Sequence, residues 1–293
     1  PWGQVEGVEF VSRLFPAATN ELSRAEVNLK AASAQTPWAN TTNLYLQLRL
    51  VSLAPQPDVV DAALTLRAAV ADTPWAAVGP TQLKARWVHA VTNPIPQSGY
   101  LEMATDRAIT PWARAAGVQF NATLARATNV IPPDVSLAWW TNFLAYQLDW
   151  SANARALKAF RLEIEDLRGA GHWCAPNLSI TNLQAKLYRG PLDAEARLDV
   201  VTRELAFHAG CGFDLKQIAS FLTGDARDWF AKLSWNEPPG LRCAGSFTLP
   251  AWTDSEPDWP GVVWPTLQLA GEVMATNVAF AGIYANSLQT HFT

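Results

Sequence analysis

Apolar and polar residues alternate with a period of two along the first half of the chain. Between residues 44 and 50, four leucines alternate with polar or aromatic side chains, and Leu46, Leu83 and Phe120 head similar runs at successive intervals of 37 residues. Successive side chains of a β-strand point to opposite faces, so each run predicts a strand with one apolar face. The constant interval indicates an internal repeat.

A second alternating run lies in each copy of this repeat. It begins at Val27, at Leu64 and at Leu101, again 37 residues apart. Loops that contain proline join the runs, at residues 16, 55–57, 94–96 and 132–133. Two alternating runs joined by a loop are typical of an antiparallel hairpin, so the first half is predicted to be a meander of hairpins.

The tripeptide Thr-Pro-Trp marks the repeat, because it occurs at residues 36–38, 73–75 and 110–112. A fourth copy is predicted to end at Asp149 and Trp150. Proline interrupts a strand and favours a reversal, so each tripeptide predicts a turn at one rim of the sheet. Its tryptophan could cover the rim or pack into the core, and the sequence leaves both possibilities open.

Beyond Gly169 the 37-residue interval is lost, although strand patterns continue. We predict a repeat domain over residues 1–168 and a second β region over 169–293. A helix is expected from Asp214, where Leu215, Ile218 and Leu222 would share one face. The remaining predicted elements of this region are strands at 178–187, 192–198, 205–213, 241–249 and 267–283, and a short helix within 225–235.

The predicted fold class is therefore mainly β, an antiparallel meander of about thirteen or fourteen strands. No repeat contains a helix that could cover the apolar face. Such a sheet could close as a barrel, fold as a sandwich, or curl into an open groove. We expect the groove, with one or two short helices near residues 214–235.

Composition and charge exclude several classes of function. Charged residues are only 16% of the chain, against about 25% in typical soluble domains. The net charge of −4 and the lack of a Lys/Arg run disfavour nucleic-acid binding. Fourteen tryptophans indicate large apolar surfaces that are partly exposed. The chain begins within a repeat, so we expect it to be an internal piece of a longer protein.

The segment "ITNLQAKLYRGPLDAEARLDV" (180–200), followed by "FDLKQIASFLTGDARDW" (213–229), resembles the C-terminal part of the AsmA-like family, which includes TamB-type proteins. The segment "EVMATNVAFAGIYANSL" (272–288) resembles a later strand pair of that family. The resemblance implies a repeating β-groove protein of the Gram-negative envelope. Such a protein is anchored in the inner membrane by a helix outside this segment and carries phospholipid across the periplasm.

The resemblance and the strand pattern together indicate an apolar groove rather than a catalytic centre. No cofactor, metal or nucleic acid is expected, and the predicted partner is a phospholipid or another acyl lipid. The residues predicted to line the groove are Phe10, Val27, Leu29, Leu44, Leu46, Leu48, Leu50, Leu64, Leu66, Leu83, Trp87, Leu101, Met103, Phe120, Leu124, Phe160, Leu162, Leu205 and Phe207.

Two other readings of polar residues compete with the groove. His172, Cys174, His208, Cys211 and Cys243 are soft metal ligands, but strand phase puts His208 and Cys211 on opposite faces, which favours free thiols. Acidic residues beside tryptophans in the 252–264 loop suggest a carbohydrate site, although carboxylates on one loop rarely flank a cleft. The remaining alternatives are a structural β-protein with a closed core and a carbohydrate-binding module.

Overall fold

The computed structural model describes residues 3–16, 22–53, 56–74, 76–111, 113–128, 131–159, 162–214, 216–217, 224–254, 256–280 and 282–293. The chain forms two compact units, and all strand pairings given below are antiparallel. Unit 1 comprises residues 1–128 and 146–161, and unit 2 comprises 129–145 and 162–293. The predicted mainly-β antiparallel meander is confirmed. The predicted boundary between residues 168 and 169 falls inside a strand of unit 2.

Unit 1 is built from strands alone in its described part. Their bounds are β1 Gln4–Glu6, β2 Glu9–Pro16, β3 Leu22–Gln35, β4 Asn40–Leu53, β5 Gln56–Ala68, β6 Val70–Asp72, β7 Ala77–Val78, β8 Thr81–Ala90, β9 Asn93–Ile109, β10 Ala113–Arg126 and β11 Tyr146–Ala159. Short irregularities split three long strands into the pairs β1–β2, β5–β6 and β7–β8, and both members of each pair lie against the same strand: β3, β4 and β9 respectively. On the other side, β5 pairs with β8 and β6 with β7.

The repeat motif is four residues long, Thr-Pro-Trp-Ala, and its three copies form the same turn. In each copy the threonine N–H donates to the alanine carbonyl, at 2.9, 2.9 and 2.7 Å. The threonine hydroxyl also donates to that carbonyl and accepts from the alanine N–H, at 2.9–3.1 Å. Proline suits the second position of such a turn. The predicted turn function of the motif is therefore confirmed.

The tryptophan of the first copy, Trp38, is exposed rather than buried in a core. Trp75 and Trp112 of the other two copies lie outside the described residues. For the first copy, the structure thus decides between the two possibilities left by the sequence. The side chain stands at the rim.

The threonine hydroxyl is expected to stabilise each turn measurably. Thr73→Val removes the hydrogen bond from the hydroxyl to the Ala76 carbonyl and leaves the Ala76 N–H without that acceptor. We expect a loss of about 1–2 kcal/mol in the free energy of unfolding. Urea denaturation followed by far-UV circular dichroism measures it. Thr73→Ser keeps the hydroxyl and is the control, so equal losses from both variants would contradict the assignment.

Unit 2 combines a second antiparallel meander with short helices. Its strands are β12 Leu162–Cys174, β13 Asn177–Leu187, β14 Gly190–Asp199, β15 Glu204–Cys211, β16 Leu233–Trp235, β17 Gly240–Thr248, β18 Gln268–Phe280 and β19 Ile283–Phe292. Its helical segments are a 3₁₀ helix at Val135–Phe143, the α-helix α1 at Gly224–Ala231, a π-helical turn at Trp259–Val263 and a 3₁₀ turn at Trp264–Thr266.

The strands of unit 2 pair mainly in chain order. Successive pairs run from β12 to β15, β15 then pairs with β17, and β17 with β18. The short β16 adds to the far end of β18, which also pairs with β19. One rim of this sheet carries the turns after β12 and β14 and the loop after β17; we call it rim A. The opposite rim carries the turn after β13, and we call it rim B.

Buried large side chains in unit 2 collect at its two rims. At rim A, Trp140 of the 3₁₀ helix stacks on Trp173, with ring centroids 5.0 Å apart, and meets Trp252 edge-on at 5.6 Å. We call these three residues the tryptophan cluster. At rim B, Leu187 and Phe213 form a buried pair against which Leu162 and Trp235 pack. Both clusters join residues that are distant in sequence.

Four sequence predictions need correction or fall outside the described residues. Trp150 does not end a repeat copy; it lies inside β11, because the 3₁₀ helix Val135–Phe143 precedes that strand where the repeat predicted another strand. The helix predicted within 225–235 stops at Ala231, and the next residues form β16. The strand run predicted over 267–283 ends earlier, because β18 stops at Phe280 and β19 begins at Ile283; the turn between them lies inside the segment 272–288 that resembles a strand pair. The helix predicted from Asp214 through Leu222 lies mostly outside the described residues.

Candidate functional site: the apolar face of the sheet

The register of unit 1 aligns its apolar side chains in three rows across eight strands. Residues paired between neighbouring antiparallel strands point to the same face, so each row is continuous on that face. The first row is Phe10, Leu29, Leu46, Leu66, Leu83, Met103, Phe120 and Ala152; the second is Ser12, Val27, Leu48, Leu64, Ala85, Leu101, Ala122 and Trp150; the third is Leu14, Ala25, Leu50, Ala62, Trp87, Gly99, Leu124 and Leu148. We call this surface the apolar face of unit 1.

Exposure shows that no second layer covers this face. Within the described part of unit 1, every buried residue is an alanine, a glycine or Thr105, and every Leu, Val, Phe, Met and Trp whose exposure is described remains at least partly exposed. In a sandwich or a filled barrel the inward leucines would be buried by the opposite layer. Ala62 is 0% exposed because it sits between the larger Leu50 and Trp87 of its own row.

The opposite face of unit 1 is polar and carries cross-strand ion pairs. The Arg86 guanidinium donates hydrogen bonds to the Asp61 carboxylate, among them one from Nε to Oδ1 at 2.8 Å and one from Nη2 to Oδ2 at 2.6 Å. Lys30 pairs with Glu9 at 3.0 Å. Such exposed pairs contribute at most about 1 kcal/mol each. Their main consequence is to define a solvated face, which leaves the other face as the one that can meet apolar ligands.

The structure brings together nearly all the residues predicted to line the groove. All fifteen predicted residues from Phe10 to Leu124 lie on the apolar face of unit 1, with Leu44 paired to Ala31 just beyond the first row. Leu205 and Phe207 lie on the apolar face of the unit 2 sheet, which is described below. Leu162 belongs to the rim B cluster. Phe160 lies outside the described residues.

Sequence reasoning missed the last strand of this face. Leu148 and Trp150 continue the third and second rows, and Leu14 begins the third. Leu148 and Trp150 alternate with Asp149, a signal of period two that could have placed them. The prediction that Trp150 marked a turn obscured that signal.

The apolar face of unit 2 differs in that its middle rows are rich in small residues. The row nearer rim A is Gly171, Ile180, Ala196, Phe207, Gly245 and Leu269, and the next is Gly169, Leu183, Ala194, Ala209, Cys243, Gly271 and Phe292. The larger members of these two rows are partly exposed. Two of the glycines make room for phenylalanine rings of neighbouring strands, because the Phe207 ring lies against Gly245 and the Phe292 ring against Gly271.

The cysteines and histidines do not converge on a metal site. Among the described residues, no group of three His, Cys, Asp or Glu side chains is placed to hold a metal ion. Cys211 and Cys243 are free thiols on the apolar face. His208, whose neighbour in the strand register is Glu195, lies on the polar face. Burial is the larger cause that raises the pKa of the Cys211 thiol, and the nearby Cys243 raises this pKa further. A protonated thiol is a poor nucleophile and metal ligand.

Acidic side chains of unit 2, including those of the 252–264 loop, have structural partners. Glu165 pairs with Lys186 at 2.7 Å on the polar face. In the 252–264 loop, Asp258 accepts a hydrogen bond from the Gly261 N–H at 3.0 Å, and Asp254 accepts one from the Glu256 N–H at 3.1 Å. Trp252, the first indole of this loop, is held in the tryptophan cluster. The loop is therefore organised by its own turns rather than around a cleft.

Comparison with known proteins gives no relative of this chain: no family model matches it, and neither do curated proteins or solved structures. Among the described residues, no helix is both long and apolar enough to cross a membrane. The class defined by the fold is an antiparallel β-meander with an uncovered apolar face. This face is the candidate functional site.

Proposed function

We propose that the apolar face binds the acyl chains of phospholipids and carries them between membranes of a Gram-negative envelope. The observation behind the proposal is the three continuous apolar rows of unit 1, together with the partial exposure of their large side chains. Eight strands at about 4.8 Å spacing give a surface about 34 Å long. Water against such a surface is unfavourable, so an apolar ligand would be taken up readily.

The rows also suit movement rather than tight binding at one place. Burial of one methylene group contributes about 0.8 kcal/mol, and apolar contact has no preferred direction. In the first row a chain would pass from Leu46 to Leu66 to Leu83, which are chemically equivalent neighbours. Each step therefore replaces a contact by a similar one. The envelope location is part of the proposal and derives from the sequence resemblance of residues 180–229.

Native mass spectrometry of delipidated protein tests the proposal. We expect adducts with the mass of an intact phospholipid after incubation with a lipid that has two 16-carbon chains. Glycerophosphocholine, which has the headgroup but no chains, is the matched control and should give none. A phospholipid with a diazirine in one acyl chain should label peptides of β3 to β10. No phospholipid adduct, or equal binding of the chain-free control, would contradict the proposal.

The two alternative functions receive less support from the geometry. A closed structural core would bury the leucines of unit 1, and the described leucines of that unit are partly exposed. A carbohydrate module on the 252–264 loop would stack sugars on exposed indoles, and Trp259 and Trp264 are exposed, but the indole N–H of Trp252 donates to the Val200 carbonyl at 2.7 Å. That hydrogen bond assigns Trp252 a structural role.

A further inference from the structure

Rim A of unit 2 is a connected surface. The Val200 N–H donates to the Pro176 carbonyl at 2.9 Å, which ties the turn after β14 to the turn after β12. The Leu249 N–H donates to the Arg203 carbonyl at 2.8 Å, which brings in the loop after β17. The Thr248 N–H donates to Thr266 Oγ1 at 2.9 Å and closes the base of that loop. Side chains of these segments are therefore displayed together.

Large apolar side chains protrude from this rim. Five of them are between 43 and 59% exposed, and we call them the rim patch: Trp139, Val201, Trp259, Val262 and Trp264. Trp139 stacks on Trp140 of the tryptophan cluster, with centroids 4.0 Å apart, so it is fixed on the outside of the buried indoles. An exposed apolar group of this kind marks an interaction surface.

Hydrogen bonding of the indole N–H group distinguishes Trp173 and Trp252 of the tryptophan cluster from the indoles of the rim patch. The N–H groups of Trp173 and Trp252 donate to the carbonyls of Phe143 and Val200. Among the described residues, no acceptor contacts the indole N–H of Trp139, Trp259 or Trp264. An exposed indole with a free N–H is the arrangement that tryptophan adopts at the boundary between lipid chains and headgroups.

Charge at this rim selects among membrane surfaces. The loop from residue 249 to 267 contains Asp254, Glu256 and Asp258 and has no Lys or Arg. Asp134 precedes the 3₁₀ helix that carries Trp139, and the turn after β14 contributes one cation, Arg203, which these four carboxylates outnumber. Anionic lipids attract clusters of Lys and Arg and would repel these carboxylates. A zwitterionic surface carries no such penalty.

We propose that the rim patch docks unit 2 on the surface of a zwitterionic phospholipid bilayer. The indoles lie at the level of the headgroups and ester carbonyls, and Val201 and Val262 contact the first carbons of the chains. The proposal deepens the lipid-binding function, on which its biological purpose rests, by naming the bilayer as a partner. Docking itself does not require that the apolar face of unit 1 bind a lipid.

Co-sedimentation with phosphatidylcholine vesicles tests the docking proposal. We expect the wild-type chain to partition to vesicles, and the double variant Trp259→Ala, Trp264→Ala to partition about tenfold less. The two indoles are 43 and 59% exposed, so the double variant should stay folded and lose only a few degrees of melting temperature. Replacing half of the phosphatidylcholine by phosphatidylglycerol should weaken binding of the wild type.

The matched control is Tyr284→Ala, because Tyr284 is 85% exposed and lies at rim B of the same unit. It should bind vesicles like the wild type. The proposal is overturned if the wild type does not bind phosphatidylcholine vesicles, if both variants lose binding equally, or if anionic lipid strengthens binding. Acyl adducts in native mass spectrometry would persist in each of these cases if only docking is wrong.

Discussion

Replacing Leu48 with aspartate is expected to reduce phospholipid binding by about tenfold or more. Leu48 lies in the second row between Val27 and Leu64, near the middle of the apolar face. A carboxylate there would have to lose water whenever an acyl chain covers it, which costs several kcal/mol. The measurement is the fraction of protein that carries a phospholipid adduct, at a series of lipid concentrations.

Gln47→Asp is the matched control for this substitution. It adds the same charge one residue away, but Gln47 pairs with Asn28 and Thr65 on the polar face. Lipid binding should remain within about twofold of the wild type, a difference below 0.5 kcal/mol. Leu48→Gln provides a further variant if aspartate disturbs folding, since it keeps side-chain length without a charge. Equal lipid occupancy of Leu48→Asp and Gln47→Asp would argue against the apolar face as the binding surface.

Trp140→Ala is expected to cause the largest loss of stability, about 3–5 kcal/mol. Trp140 is 8% exposed and packs between Trp139, Trp173 and Trp252. Its removal leaves a cavity at rim A and releases the 3₁₀ helix from the sheet. Urea denaturation followed by circular dichroism measures the change, because loss of an indole complicates fluorescence.

Two variants separate packing from hydrogen bonding at Trp140. Trp139→Ala removes an indole that is 55% exposed and should cost about 1 kcal/mol. The indole N–H of Trp140 is buried, and no acceptor for it is found among the described residues. Trp140→Phe keeps most of the packing and removes that unsatisfied donor, so it should be far milder than alanine. A loss from phenylalanine as large as that from alanine would contradict this account.

Local pattern was enough to predict most strands of unit 1 and their faces. The alternation at residues 44–50 depends only on the period of two, and the structure pairs Leu46 and Leu48 with apolar partners on both sides. The Thr-Pro-Trp-Ala turn closes through bonds between residues three apart, so its three copies could be recognised in sequence. Local interactions of this kind carry their signal in neighbouring residues.

The failures occurred where local signals were ambiguous. The residues around Trp150 have both a strand alternation and a likeness to the repeat motif. In the structure they form a strand, β11, which follows the 3₁₀ helix Val135–Phe143. The strand pattern over 267–283 did not indicate where β18 ends, although the resemblance of residues 272–288 to a strand pair implied a turn within that segment. Gly282, with a φ of +89°, provides the reversal there, and glycine is the residue that adopts this conformation without strain.

Alternation within each strand is sufficient to specify a β-meander with one apolar and one polar face. Long-range contacts are needed to know that the described large side chains on the apolar face of unit 1 stay partly exposed, and that Trp140 is buried while Trp139, Trp259 and Trp264 are exposed. These outcomes depend on contacts such as Trp140 with Trp173 and Trp252, whose partners are tens of residues apart. A local pattern specifies which way a side chain points, but not what meets it.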